Sequence, residues 1–214
     1  MKKILCLVLT FGLVLTLGLA LVSCGDELPA IYTQAAELDP TRVVTMVEYK
    51  NTDGKTLVGW YDLQVEGENS IFTFKYDRYR TVKEAIAEGT SERIKTVEGT
   101  VYCKDGKYTG DGFSWSSAPV STDIKLNLDP ELLKDAVVSE DGNTLTALIT
   151  PENSEAVIGT TLSAVGDISL TATSNGTFFT GIVLTCTTIE GASLTVRTSY
   201  SRNVIDLDPL FPES

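Results

Sequence analysis

The chain has 214 residues, 43% hydrophobic and 21% charged, with 17 basic side chains against 29 acidic ones and no histidine. A formal charge of −12 repels phosphate backbones and argues against nucleic acid as a partner. The missing histidine removes Ser-His-Asp and Cys-His nucleophile pairs and every imidazole metal ligand.

Met1-Lys2-Lys3 is a short basic head, and Ile4–Val22 is an uncharged, mostly apolar run. Leu21-Val22-Ser23-Cys24 follows, with an abrupt polar switch at Gly25-Asp26-Glu27. These four residues resemble the lipobox of bacterial lipoproteins. The resemblance implies that the leader is cut away and that Cys24 carries a lipid anchor, palmitate included. An uncleaved transmembrane helix is the alternative, because the run is long enough to span a bilayer. Both readings leave Lys2 and Lys3 inside and the domain extracytoplasmic, held at the cell membrane. Without residues 1–23 the domain keeps 15 basic and 29 acidic residues, a formal charge of −14.

The pattern divides the chain into a leader over 1–23, a lipidated tether over 24–27, one β-rich domain over 28–201 and an irregular tail over 202–214. Leu28, Ile31, Ala35 and Leu38 share a helical face that ends before Pro40. From Arg42 the period becomes two. Asp53-Gly54 and Gly67-Glu68-Asn69 then mark the turns of a three-stranded meander. Leu57, Tyr61, Leu63 and Val65 share one face, and Phe72, Phe74 and Tyr76 alternate in the next strand.

Thr81-Val82-Lys83-Glu84 has capping-box spacing, with Gly89 as the helix stop. Asp105-Gly106 turns a hairpin. Asp129-Pro130 reads as an N-cap and first helical residue, predicting a helix with Leu132, Leu133 and Ala136 apolar. A strand over Val137–Glu140 and another over Thr144–Thr150 flank Asp141-Gly142, and a short helix after Pro151 carries Val157 and Ile158. The last third is a regular meander turning at Asn175-Gly176 and Glu190-Gly191.

This element order predicts a mainly β fold: a curved antiparallel sheet, or half-barrel, over short helices. It resembles the LolA/LppX-like half-barrel lipoprotein carriers over about residues 28–201, which implies a lipid-sized cavity between sheet and helices. A closed calycin-like barrel and a β sandwich also fit the pattern.

Aromatic residues concentrate between Tyr49 and Trp115, and eight of the 15 cations outside the leader lie between Lys75 and Lys107. Trp60, Phe72, Phe74, Tyr76, Tyr102 and Trp115 are therefore candidates to line a pocket for a lipid or amphiphile. Rings in the core with cations on solvated edges are the plainer explanation. Cys103 and Cys186 form either a disulfide or two buried thiols. No metal or cofactor is expected. A Gly54-Lys55-Thr56 remnant of a phosphate loop lacks its first glycine and reads as a turn.

The expected function is non-catalytic binding or carriage of a hydrophobic or amphipathic ligand by a membrane-anchored lipoprotein. A structural or protein-interaction module of the envelope is the alternative. A glycan hydrolase or lyase is a third reading, working through carboxylates such as Glu66/Glu68 or Glu152/Glu155.

Overall fold

The computed structural model describes residues 28–33, 40–105, 107–110 and 126–211, with backbone only at 108. The leader, Cys24, the tether and Trp115 lie outside the described residues. Of the predicted N-terminal helix, α1 (Ala30–Thr33) is present with Ile31 as its single buried side chain, while Ala35 and Leu38 lie outside the described residues.

Alternating sequence becomes strand wherever a turn signal separates it. β1 (Arg42–Lys50) and β2 (Thr56–Glu66) pair from Arg42↔Gln64 to Lys50↔Thr56. Their turn is held by side chains: the Lys55 amide donates to Asn51 Oδ1 and Asp53 Oδ1. β3 (Asn69–Tyr79) continues the meander. Helix α2 (Val82–Glu88) then begins at the predicted capping box, with Thr81 as N-cap and Gly89 left-handed at its end. β4 (Ile94–Lys104) and the short β5 (Lys107–Gly110) complete this half.

The second half corrects one element. Asp129 caps as predicted, but only one 3-10 turn, Pro130–Leu132, forms before the chain extends. Leu133–Val138 is strand β6, not helix. Leu133 is buried opposite Ile149, so pairing with the next strand outweighs the helix-start signal. β6 carries a bulge between Lys134 and Val137, with Asp135 at φ 49°. Such a kink blunts an edge strand against stray pairing.

β7 (Thr144–Ile149) follows. A 3-10 turn at Pro151–Asn153 then leads into α3 (Ser154–Ile158), where Val157 is fully buried, as the sequence predicts. β8 (Ile168–Ser174), β9 (Phe179–Thr187) and β10 (Ser193–Ser201) close the domain.

All ten strands form one antiparallel sheet in the order β5-β4-β3-β2-β1-β10-β9-β8-β7-β6. It is two five-strand meanders joined where β1 meets β10, from Arg42↔Ser201 to Lys50↔Ser193. The sheet is curved and unclosed, a half-barrel, which removes the closed barrel and the sandwich.

Register carries a single apolar face across all ten strands, termed the inner face. On β6–β10 it holds Leu145, Ile149, Ile168, Leu170, Ala172, Leu184 and Cys186, packed with Val157, Ile31, Leu126 and Leu128 into one buried cluster. The outer face of β1 and β2 holds an ion pair in which the carboxylate is buried and the guanidinium is half-exposed. Asp62, 4% exposed, receives Arg42 Nε at 2.9 Å and Nη2 at 2.6 Å. Asp62→Ala is expected to cost about 1–3 kcal/mol, because it strips the guanidinium of a bidentate partner in a partly desolvated site. Urea unfolding against wild type measures it, and an unchanged midpoint would refute the structural role of the pair.

Candidate functional site

The inner face changes character on β2–β4. Phe72, Phe74 and Tyr76 follow one another along β3, with ring centroids 5.7 and 6.0 Å apart. Tyr61, directly opposite Phe74 on β2, stacks on both Phe72 and Tyr76 at 6.3 Å. Burial pushes the Tyr61 hydroxyl above its usual pKa, and the neighbouring Tyr76 adds to the shift.

Two glycines make this arrangement fit. A Cβ on Gly99 would lie 2.8 Å from Phe74 Cζ, and one on Gly59 would lie 2.9 Å from the Tyr61 ring. The rings therefore lie flat on bare backbone, a close approach only glycine permits. Phe74 is 3% exposed, whereas Tyr61, Phe72 and Tyr76 are half-buried. None of the four belongs to the cluster that closes the β6–β10 half. The result is an aromatic floor beside a finished aliphatic core.

One end of the floor is charged. Register places Arg78 and Lys95 on the inner face beyond Tyr76 and Val97. Helix α2 meets them: Arg78 pairs with Glu84, and Glu88 takes Arg80 at 2.9 Å and Lys95 at 2.6 Å. Glu84 also accepts the Thr81 amide and hydroxyl, both at 2.9 Å. The Arg78 guanidinium, then the Thr81 donors, hold the Glu84 carboxyl far below the usual carboxylate range. Lys95 lowers Glu88 in the same direction.

Depressed folded-state values stabilise the fold above the ordinary carboxylate pKa, and this stability is lost as pH falls through and below it. The helix α2 end is therefore expected to loosen below about pH 4.5. Glu84→Gln should flatten the acid limb of the stability profile while leaving the neutral-to-alkaline limb parallel to wild type. Thermal melts from neutral to acid pH check this; an identical acid limb in the variant would sink it.

The six candidate lining residues do not form one site. Phe72, Phe74 and Tyr76 share the inner face, whereas Trp60 and Tyr102 point from the outer face and Trp115 lies outside the described residues. Tyr61, absent from the predicted set, completes the floor. The only signal for it was its phase opposite Trp60 in β2. The cation cluster is mostly self-satisfied, since Lys75, Arg78, Arg80, Lys95 and Lys104 each hold a carboxylate.

Cys103 and Cys186 are free, buried thiols, which corrects the disulfide alternative. They lie on β4 and β9, five strand positions apart, beyond the about 7 Å Cα separation a disulfide tolerates.

One member of each candidate carboxylate pair is engaged elsewhere. Glu66 accepts the Leu207 amide, and Glu155 accepts the Thr161 hydroxyl. Asp208 pairs with Lys104, and Asp206 accepts the Asp208 amide. Among the described residues no group of three or more Cys, Asp or Glu could hold a metal ion, and no helix is long and apolar enough to cross a membrane.

No family model matches the chain, and no curated protein matches it. Among solved structures the chain is similar to a LolA superfamily protein from Nitrosomonas europaea, at 12% identity and a TM-score of 0.30, over 86% of this chain and 96% of that one.

Proposed function

We propose that this chain is an extracytoplasmic lipoprotein, anchored to the cell membrane through lipid on Cys24, that binds or carries a hydrophobic or amphipathic ligand on its inner face. In this reading residues 1–23 are removed, 24–27 tether the domain, 28–201 form the binding domain and 202–214 are a tail. The observation that carries it is the aromatic floor. Tyr61, Phe72 and Tyr76 stay half-exposed on a face whose other half is fully closed by a separate core. Stacked rings offer a large apolar area at little entropic cost, and an acyl or ring-bearing ligand would cover it.

The charged end suits an amphiphile. Its apolar part would lie along Phe72, Phe74 and Tyr76, and its polar end would meet the Arg78, Glu84, Glu88 and Lys95 group. No step of this reading needs a cofactor.

Native mass spectrometry of the full chain, extracted from membranes in mild detergent, tests it. The expected spectrum carries a lipid or amphiphile that is depleted in Tyr61→Ala/Phe72→Ala. A ligand-free wild type that also fails to take up added fatty acid or phospholipid would overturn it.

A further inference from the structure

The opposite side of the same strands carries a second, chemically different surface. A groove of about 620 Å³ crosses the outer face from β2 to β5. Trp60 stands toward one end on β2 and Tyr102 toward the other on β4, with Thr73 and Thr100 between them and Thr109 beyond Tyr102 on β5. Lys75 and Glu98 lie in the groove as an ion pair at 3.1 Å. Register sets Trp60 beside Lys75 and Glu98, while Tyr102 is four residues further along β4. That diagonal corresponds to about 16 Å between the two rings' strand positions.

Some polar groups here keep hydrogen-bonding capacity to spare. Thr73 and Thr100 face each other at 3.3 Å, and either can turn its hydroxyl outward. Among the described residues neither the Trp60 indole N–H nor the Tyr102 hydroxyl has a hydrogen-bond partner. The Tyr102 ring is held in place by Phe211, whose centroid is 6.1 Å away. The chain end thus fixes one of the two platforms.

We propose that this outer groove binds a neutral oligosaccharide. Each feature selects against another class. A lipid tail would lie on hydroxyls and an ion pair, which it cannot satisfy. An anion finds no net charge in the groove, because Glu98 cancels Lys75, and it meets a strongly acidic protein overall. A polyhydroxylated ring presents an apolar face to stack on Trp60 and Tyr102, and it exchanges hydrogen bonds with threonine hydroxyls and the indole N–H. The 16 Å diagonal suits a short chain of sugars better than a monosaccharide. Phe74 and Gly99 of the aromatic floor also border this groove, but the Trp60, Tyr102 and threonine side chains lie on the other face of the sheet.

The test is binding of the full chain in detergent to an array of neutral and charged oligosaccharides, followed by tryptophan fluorescence titration with the best binder. Trp115→Phe serves as the background, so that Trp60 is the sole reporter. The expected result is saturable binding to a neutral oligosaccharide with a shift in Trp60 emission. Trp60→Ala and Tyr102→Ala should each weaken it at least tenfold. Thr73→Val/Thr100→Val, which keeps the strand shape, should weaken it several-fold. The co-purifying lipid of the preceding section should be unchanged in all of them. Absence of any neutral binder, preference for anionic glycans, or affinity that survives Trp60→Ala and Tyr102→Ala would overturn the proposal.

Discussion

Replacing Cys24 with alanine is expected to abolish incorporation of labelled palmitate into the chain, an all-or-none effect. In the proposed lipoprotein reading the Cys24 sulfur is the atom acylated, and Cys6, the nearest other thiol, lies inside the leader that is removed. Each buried methylene of an anchor contributes about 0.8 kcal/mol, so two or three chains hold the domain firmly at a membrane. Intact mass separates this from the transmembrane alternative. A processed wild type is shorter than the 23.1 kDa chain and carries lipid mass, whereas Cys24→Ala retains the leader. Palmitate label persisting in Cys24→Ala, or an unprocessed and unlabelled wild type, would end the lipoprotein reading.

The second large effect is on stability. Phe74→Ala is expected to destabilise the domain by about 3–5 kcal/mol, since it empties a site sealed on Gly99 and flanked by three rings. For a domain of this size that corresponds to a drop of roughly 10 °C in Tm. The comparison with its neighbours matters more than the value. Tyr76→Ala and Phe72→Ala remove half-exposed rings, and each should cost less than half as much. If Tyr76→Ala matches Phe74→Ala, the floor is solid core and holds no ligand. Thermal unfolding of the three variants, with and without added fatty acid, decides this.

Much of the fold was legible because it is built from local signals. The turn at Asn51–Lys55, the capping box at Thr81 and Glu84, and the helix after Pro151 all act within a few residues. The helix expected after Asp129-Pro130 failed for a non-local reason. Of its apolar residues, Leu133 is claimed by Ile149 across a strand pair that the spacing does not encode.

The site shows the same boundary. Alternation put Phe72, Phe74 and Tyr76 together and set Trp60 opposite Tyr61. Which of those two joins the row depends on the pairing Tyr61↔Phe74, a relation between strands. The split of the six aromatics between two faces is therefore a fact of register. A shift by one residue would exchange the two faces.

The junction of β1 with β10 has a consequence for how the chain is made. Every other strand pair joins neighbours in sequence, so both meanders can form soon after their residues appear. The central seam alone links Arg42 to Ser201 across almost the whole domain. An emerging chain therefore carries β1 with one unpaired edge through most of synthesis, and the seam closes last. Variants that slow β10, such as proline at Val196, should trap a half-sheet intermediate that is prone to pair with its own kind.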